Sequence, residues 1–226
     1  MTTSTADRAR DALVDTLVRG GRVRSRAVED ALRTVPRHVF LPGLPVAEAY
    51  ADEAVAVQFA RGVATSSASQ PSMMAIMLEQ LDLRPGARVL EIGAGTGYNA
   101  ALISRIVGPA GAVTSVDIDE GLVGSAADHL AAAGVRDVEL VAADGAFGHA
   151  PGAPYDRIVL TVGSDDVRPE WVAQLAPGGR LLLPLAVRGS QLSVAFDLGA
   201  DGLLRSSSVR ACAFIRLRGA AAGTVR

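Results

Sequence analysis

The sequence contains no lysine; all 22 of its basic residues are arginine. Chemistry that depends on a side-chain amine, such as a Schiff base or a lysine base, is therefore excluded. One cysteine, Cys212, in 226 residues rules out an internal disulfide framework and suits a reducing, cytoplasmic setting. The three histidines, His38, His129 and His149, stand far apart, and no segment has metal-ligand spacing, so no metal is expected. No apolar run approaches the roughly 20 residues of a membrane span. The opening Thr2-Thr3-Ser4-Thr5-Ala6-Asp7-Arg8 is polar and runs into a helical pattern, unlike a signal peptide. A formal charge of −2 leaves no electrostatic footprint for nucleic acid.

Apolar residues make up 49% of the chain, enough for one buried core with at most a small appendage. Two short helices are predicted first. One runs from about Ala6 to Arg19 and stops at Gly20-Gly21; the other is capped by Ser25 and ends before Pro36. A loop-rich stretch from Pro36 to Ser69 leads to a third helix, about Gln70 to Leu81. Strand and helix patterns then alternate. The strands read Ala87–Ile92, Ala112–Val116, Val138–Ala142, Arg157–Thr161 and Arg180–Pro184, with helices from near Tyr98, Asp119, Gly145 and Arg168. Such alternation predicts a parallel sheet covered on both faces. Leu192–Asp197 and Ser206–Leu217, joined by Gly199-Ala200-Asp201-Gly202, read as a closing antiparallel hairpin. The fold class is thus α/β, a doubly wound Rossmann-like sheet with an antiparallel end and an N-terminal helical region.

Glu91-Ile92-Gly93-Ala94-Gly95-Thr96-Gly97-Tyr98 follows a predicted strand and opens a helix, the context in which a glycine run cradles a ligand. A dinucleotide fingerprint places its third glycine three residues after the second. Here the spacing is one residue shorter, and a carboxylate, Glu91, stands at the strand end. An acid suits a ligand carrying a sulfonium and an ammonium better than one carrying a pyrophosphate. S-adenosylmethionine is the expected cofactor. Asp117, with Ile118 beside it, ends the second core strand, where an acid reaches ribose hydroxyls. Asp144, before Gly145, ends the third and suits an adenine amine. Asp119 reads instead as a helix cap.

Methyl transfer from a sulfonium is an in-line displacement that needs orientation and a dry pocket. An amine or hydroxyl acceptor must lose a proton, whereas a carboxylate is already an anion at neutral pH and needs only donors to aim it. The serine-rich Thr65-Ser66-Ser67-Ala68-Ser69 at the start of the third helix offers such donors. Its alternative reading is a helix cap with a polar loop. The segment after the fourth strand, Thr161-Val162-Gly163-Ser164, lacks the Asn/Asp-Pro-Pro-Tyr pattern of amide and adenine methyltransferases, and catechol-type enzymes use a lysine. Both absences point to a carboxylate acceptor.

Val35-Pro36-Arg37-His38-Val39-Phe40, Ala49-Tyr50-Ala51-Asp52, Ser69-Gln70-Pro71, Val89–Gly97 with Tyr98, Asp144-Gly145, Tyr155-Asp156-Arg157-Ile158 and Leu175-Ala176-Pro177-Gly178-Gly179 occur in order. Together they resemble the protein-L-isoaspartate O-methyltransferase family across about Val35 to Leu217. The resemblance implies methylation of the free carboxylate of L-isoaspartyl residues in proteins or peptides, giving an ester that collapses to a succinimide. It also implies that Ser69, and next Ser67, contact the acceptor. Residues 1–80 are expected to form a substrate-side helical region on a core of 81–219, and the Ala/Gly-rich 220–226 a disordered tail. A monomer is expected. Three departures surround the acceptor side: a longer, apolar Val55–Ala64 loop, Ser-Ala in place of Thr-Ile, and Arg216 where the family shows proline. They resemble an actinobacterial peptide-tailoring branch that esterifies a specific aspartate, and a cofactor-binding module without turnover is the remaining alternative.

Overall fold

The computed structural model describes residues 4–221. The chain opens with α1 (Thr5–Arg19) and α2 (Arg26–Thr34), each started by a serine: Ser4 forms a reciprocal capping box with Asp7, and Ser25 accepts from the Val28 N–H. The stretch expected to be loop is more ordered than its sequence suggests. It holds a 3-10 turn (Arg37–Phe40), α3 (Val46–Ala49) and an antiparallel hairpin of β1 (Val55–Ala60) and β2 (Val63–Ala68). Arg61 and Gly62, both at positive φ, close the hairpin with the backbone sense that matches strand twist. Val55–Ala60 carries one polar residue, Gln58, and both of its faces remain partly exposed, so its sequence shows no clear polar alternation. Gln58 anchors the hairpin by donating to Asp119 and accepting from Thr65.

After α4 (Pro71–Leu81) come β3 (Arg88–Ile92), α5 (Tyr98–Val107), β4 (Ala112–Asp117), α6 (Glu120–Ala132), β5 (Val138–Ala142), β6 (Tyr155–Leu160) and α7 (Pro169–Ala173). The chain ends in β7 (Leu175–Val187), β8 (Ser190–Leu198) and β9 (Leu204–Ala211). The seven core strands lie in the order β5-β4-β3-β6-β7-β8-β9, parallel through β7 and antiparallel beyond it. The parallel sheet with an antiparallel end is the one expected. Placing β4 and β6 on opposite sides of β3 creates a switch point, so the chain diverges at the carboxyl end of β3 and leaves a crevice there.

Period-two alternation divides the core. Val89 packs under α1, α2, α4 and α5, while Leu90 and Ile92 pack on the opposite face with Ile158, Leu160, Leu181 and Trp171. Trp171 is fully buried and donates from its indole nitrogen to the Gly145 carbonyl at 2.9 Å, so the outer layer supports the loop after β5. β7 is longer than expected because Pro177-Gly178-Gly179 forms an irregularity within the strand and does not end a helix.

The last strand is shorter than expected. β9 stops at Ala211, and residues 212–218 leave the sheet to cross the ends of the parallel strands. Gly163 donates to Ile215 and accepts from Leu217, and Leu217 is buried in the core. Gly219–Ala221 form a 3-10 turn on which the Ala220 N–H donates to Asp144. The tail expected at 220–226 falls chiefly on residues 222–226, which lie outside the described residues. Among the described residues no helix is long and apolar enough to cross a membrane.

Trp171→Phe removes the indole donor while the Gly145 carbonyl keeps its bond from the Gly148 N–H, so it should cost about 0.5–1.5 kcal/mol. Trp171→Ala adds a cavity and should cost about 3–5 kcal/mol. Urea unfolding followed by circular dichroism checks both, since the only tryptophan is the residue changed.

Candidate active site

A cleft open to solvent lies at the carboxyl ends of β3, β4 and β6, beside the loop after β5. Gly93, Ala94, Gly95, Thr96 and Tyr98 form one wall; Asp117 and Ile118 enter from β4, Gly145 from the loop after β5, and Thr161 and Val162 from the end of β6. Thr65 to Ser69 face them from β2, and Phe214 to Arg218 close the top. Most of the residues expected at a cofactor site therefore share one cavity with the serine segment.

The glycine turn has two jobs. Gly95 sits at φ +51, and a side chain there would project into the cleft, with Ser66 Oγ 3.8 Å away as its nearest neighbour. Gly97, also expected to touch cofactor, does not line the cleft. A Cβ on it would lie 3.2 Å from that of Ala126, so its smallness lets α5 approach α6. Sequence spacing alone cannot separate these roles, because both are needed at a strand–helix turn.

Asp117 is nearly buried and organised. One carboxylate oxygen accepts from the Gly95 N–H at 3.1 Å and the other from the Asp119 N–H at 3.1 Å. Arg218 approaches Asp117 at 3.6 Å and Asp119 at 3.7 Å. The strand tips of β3 and β4 are thus tied together, with the C-terminal crossing segment across them.

The other two acids are placed outside the cleft lining. Glu91 shares the Val89 side of β3, so it points beneath the glycine loop and does not line the cleft; its neighbour Ile92 does. It is fully buried, accepts from Ser115 and from Asn99 at 2.8 Å, and burial pushes its carboxyl up to about 7. Its role is to hold β3, β4 and α5 in register. Asp144 also stays out of the cleft: it accepts from Ala146 at 2.9 Å, capping a 3-10 turn, and from Ala220 at 2.7 Å. Its successor Gly145 lines the cleft, and a Cβ there would lie 2.3 Å from Ile92 Cγ2.

The serine segment is not a helix cap. The cap position of α4 is Gln70, which makes no side-chain capping bond, and Pro71 follows as the first helical residue. Of the backbone N–H groups in the first turn of α4, that of Ser72 donates to Asp52 at 2.8 Å. None of the hydroxyls of Ser66, Ser67 and Ser69 has a hydrogen-bond partner among the described residues. Arg216 lines the cleft mouth but is exposed and pairs with Asp165 at 3.2 Å. Burial raises the Cys212 thiol to about 11, which keeps it un-ionised and unreactive near neutral pH.

Two cleft residues were missed by the sequence reading. Arg218 carries no local signal, because it lies just beyond the predicted strand Ser206–Leu217 and only the fold brings it to Asp117. Arg37 stands in the Val35–Phe40 block, whose pattern was noted without a role for the arginine.

A doubly wound sheet with this glycine turn at the end of β3 and an acid at the tip of β4 defines the S-adenosylmethionine-dependent methyltransferase class. The chain matches the family Protein-L-isoaspartate(D-aspartate) O-methyltransferase over residues 8–222, and it belongs to that family. It is 40% identical over 213 residues to the Protein-L-isoaspartate O-methyltransferase of Methanopyrus kandleri, covering 94% of this chain and 92% of the relative. It is 42% identical over 183 residues to that of Anaeromyxobacter dehalogenans strain 2CP-C, covering 80% and 84%. A solved protein-L-isoaspartate O-methyltransferase superposes with a TM-score of 0.85 at 35% identity, over 94% of this chain and 67% of that one. A Plasmodium falciparum structure in complex with S-adenosyl-L-homocysteine shares the fold, with a TM-score of 0.79 at 18% identity over 92% and 98%. These relatives support the family and give no support to the peptide-tailoring branch expected above. The chain is an enzyme of this methyltransferase class and uses S-adenosylmethionine.

Gly95→Asn, which tolerates the left-handed backbone, should fold while weakening S-adenosylhomocysteine binding by roughly tenfold or more in calorimetry. The Glu91 shift sets a pH dependence. Because the folded carboxyl binds its proton more tightly than the unfolded one, the native state is favoured at low pH. That contribution fades as pH rises from about 4.5 through about 7. Glu91→Gln keeps an acceptor for Asn99 and can donate to the Ser115 hydroxyl in place of accepting from it, so the fold is retained and its urea midpoint should lose this slope across that range.

Proposed function

We propose that this protein methylates the free carboxylate of L-isoaspartyl residues in proteins and peptides, with Ser69 and Ser67 aiming the acceptor. The observation that carries the reading is the row of unpartnered serine hydroxyls directly across the cleft from the glycine turn. Hydroxyls without protein partners at a cleft wall are donors available to a ligand. Bound S-adenosylmethionine supplies an electrophilic methyl on a sulfonium, which a carboxylate oxygen takes in an in-line displacement, leaving a neutral thioether.

The residues fit that cofactor. A close-approaching backbone at Gly93–Thr96 and a preorganised carboxylate at Asp117 suit a ligand with a ribose diol and a positive centre. Gly145 packs too closely on Ile92 to carry a side chain and presents its backbone at the cleft wall, and Ile118 offers an apolar surface to the adenine ring. An acceptor that is already ionised requires no base, and the serines act by donating hydrogen bonds that hold one oxygen in line. The crossing segment 214–218 roofs the cleft and keeps water from the reacting atoms.

Ser69→Ala should lower kcat for an isoaspartyl hexapeptide by about 10- to 100-fold while leaving S-adenosylhomocysteine affinity within about twofold. Ser67→Ala should have a smaller effect in the same direction. Labelled-methyl transfer is compared between isoaspartyl and aspartyl versions of one peptide. Transfer to the isoaspartyl form is expected; no transfer to that form by protein that binds the cofactor would overturn the reading.

A further inference from the structure

Arg37 is buried in the cleft wall without a counter-charge. It is 1% exposed. Its Nε donates to the Ala49 carbonyl at 2.9 Å, Nη1 meets only the Met74 sulfur at 3.8 Å, and Nη2 has no partner. The guanidinium carbon lies 5.2 Å from the centre of the Tyr98 ring. Among the described residues no carboxylate pairs with it. Asp52, the acid whose charge it feels, is exposed and accepts from the Ser72 N–H. Burial pulls its pKa below the usual arginine value, the direction expected of a desolvated cation.

A buried charge is tolerated when it is paired and hydrogen-bonded, and a ring face with one weak sulfur contact meets that need only in part. The missing partner has a defined chemistry. A guanidinium with two free nitrogens matches a carboxylate in a bidentate fork. Its position is equally defined. Arg37, Met74 and Tyr98 all line the cleft; Tyr98 follows the glycine turn directly, and Met74 lies in the first turn of the helix that follows Ser69. Met74 is unbranched and flexible, so it can swing off Nη1 with little rearrangement.

We infer that Arg37 is the carboxylate-binding residue of this cleft, pairing with a ligand carboxylate when the site is filled. The inference rests on the proposed reading of the cleft, which brings two carboxylates to it: that of the cofactor's amino-acid end and that of the acceptor. Arg37 acts by ion pairing and moves no proton.

Calorimetry on Arg37→Gln and Arg37→Lys distinguishes the two sources. The probes are S-adenosylhomocysteine and its decarboxylated analogue, which differ only in that group. If the cofactor is the source, wild-type protein prefers the carboxylate-bearing probe by tenfold or more. The preference then falls to about twofold in Arg37→Gln and is partly restored in Arg37→Lys. If the acceptor is the source, the preference is unchanged by substitution, and KM for an isoaspartyl peptide rises at least tenfold with kcat nearly retained. The first arm needs no methyl transfer, so it stands or falls independently of the proposed acceptor. Should Arg37→Gln not fold, Arg37→Lys reads the same ratio and the same KM. Equal loss of both probes, or an unchanged ratio together with an unchanged KM, would overturn the inference and leave Arg37 a packing residue.

Discussion

The bond from the Gly95 N–H to the Asp117 carboxylate joins the tips of β3 and β4 across the crevice. A parallel sheet opens at its switch point because its strands diverge there, and an open crevice has no intrinsic shape. A charged acceptor bonded to two backbone donors, from Gly95 and Asp119, gives it one. The glycine turn is held in its unusual backbone conformation by this bond and by Thr161, whose hydroxyl donates to the Gly93 carbonyl at 2.6 Å. Three strand ends are thereby fixed relative to one another before any ligand arrives, which is the preorganisation that methyl transfer demands.

Beneath that surface, Glu91 has a different task from Asp117 although both are acids at strand ends. Its environment is dry, so its charge is costly; its hydrogen bonds to Ser115 and Asn99 favour the ionised form, but burial outweighs them. Asp117 keeps partial access to the cleft and faces arginine rather than apolar surroundings. Position along the strand separates them: Glu91 pairs with Ser115, and Asp117 lies two residues further on, at the tip of β4, where it reaches the cleft. The same logic separates Gly95, which opens space for a ligand, from Gly97, which opens space for a helix.

The acceptor side is assembled from parts that are distant in the chain. The hairpin of β1 and β2 carries the serines, the 3-10 turn after α2 carries Arg37, and the segment after β9 supplies the roof. That roof is held at three places: Leu217 in the core, Arg218 beside Asp117 and Asp119, and Ala220 on Asp144. The last two ties end at the tips of β4 and β5, so the C-terminal segment is joined to the cofactor side of the cleft.

Local pattern determined the order of elements, the glycine turn, the acid at Asp117 and the serine segment, because period and turn chemistry are written in neighbouring residues. The parallel sheet and its antiparallel end were legible for the same reason. The hairpin at Val55–Ala68 was not, since partly exposed small residues leave no clear alternation. Tertiary structure alone decided which face of β3 bears Glu91, that Asp144 is consumed by a cap and by Ala220, and that the chain after Ala211 turns across the site. It also placed Arg37, 50 or more residues from the glycine turn, against the ring of Tyr98. Burial and pairing are properties of the assembled fold, where residues far apart in sequence compete for the same space and the same charges.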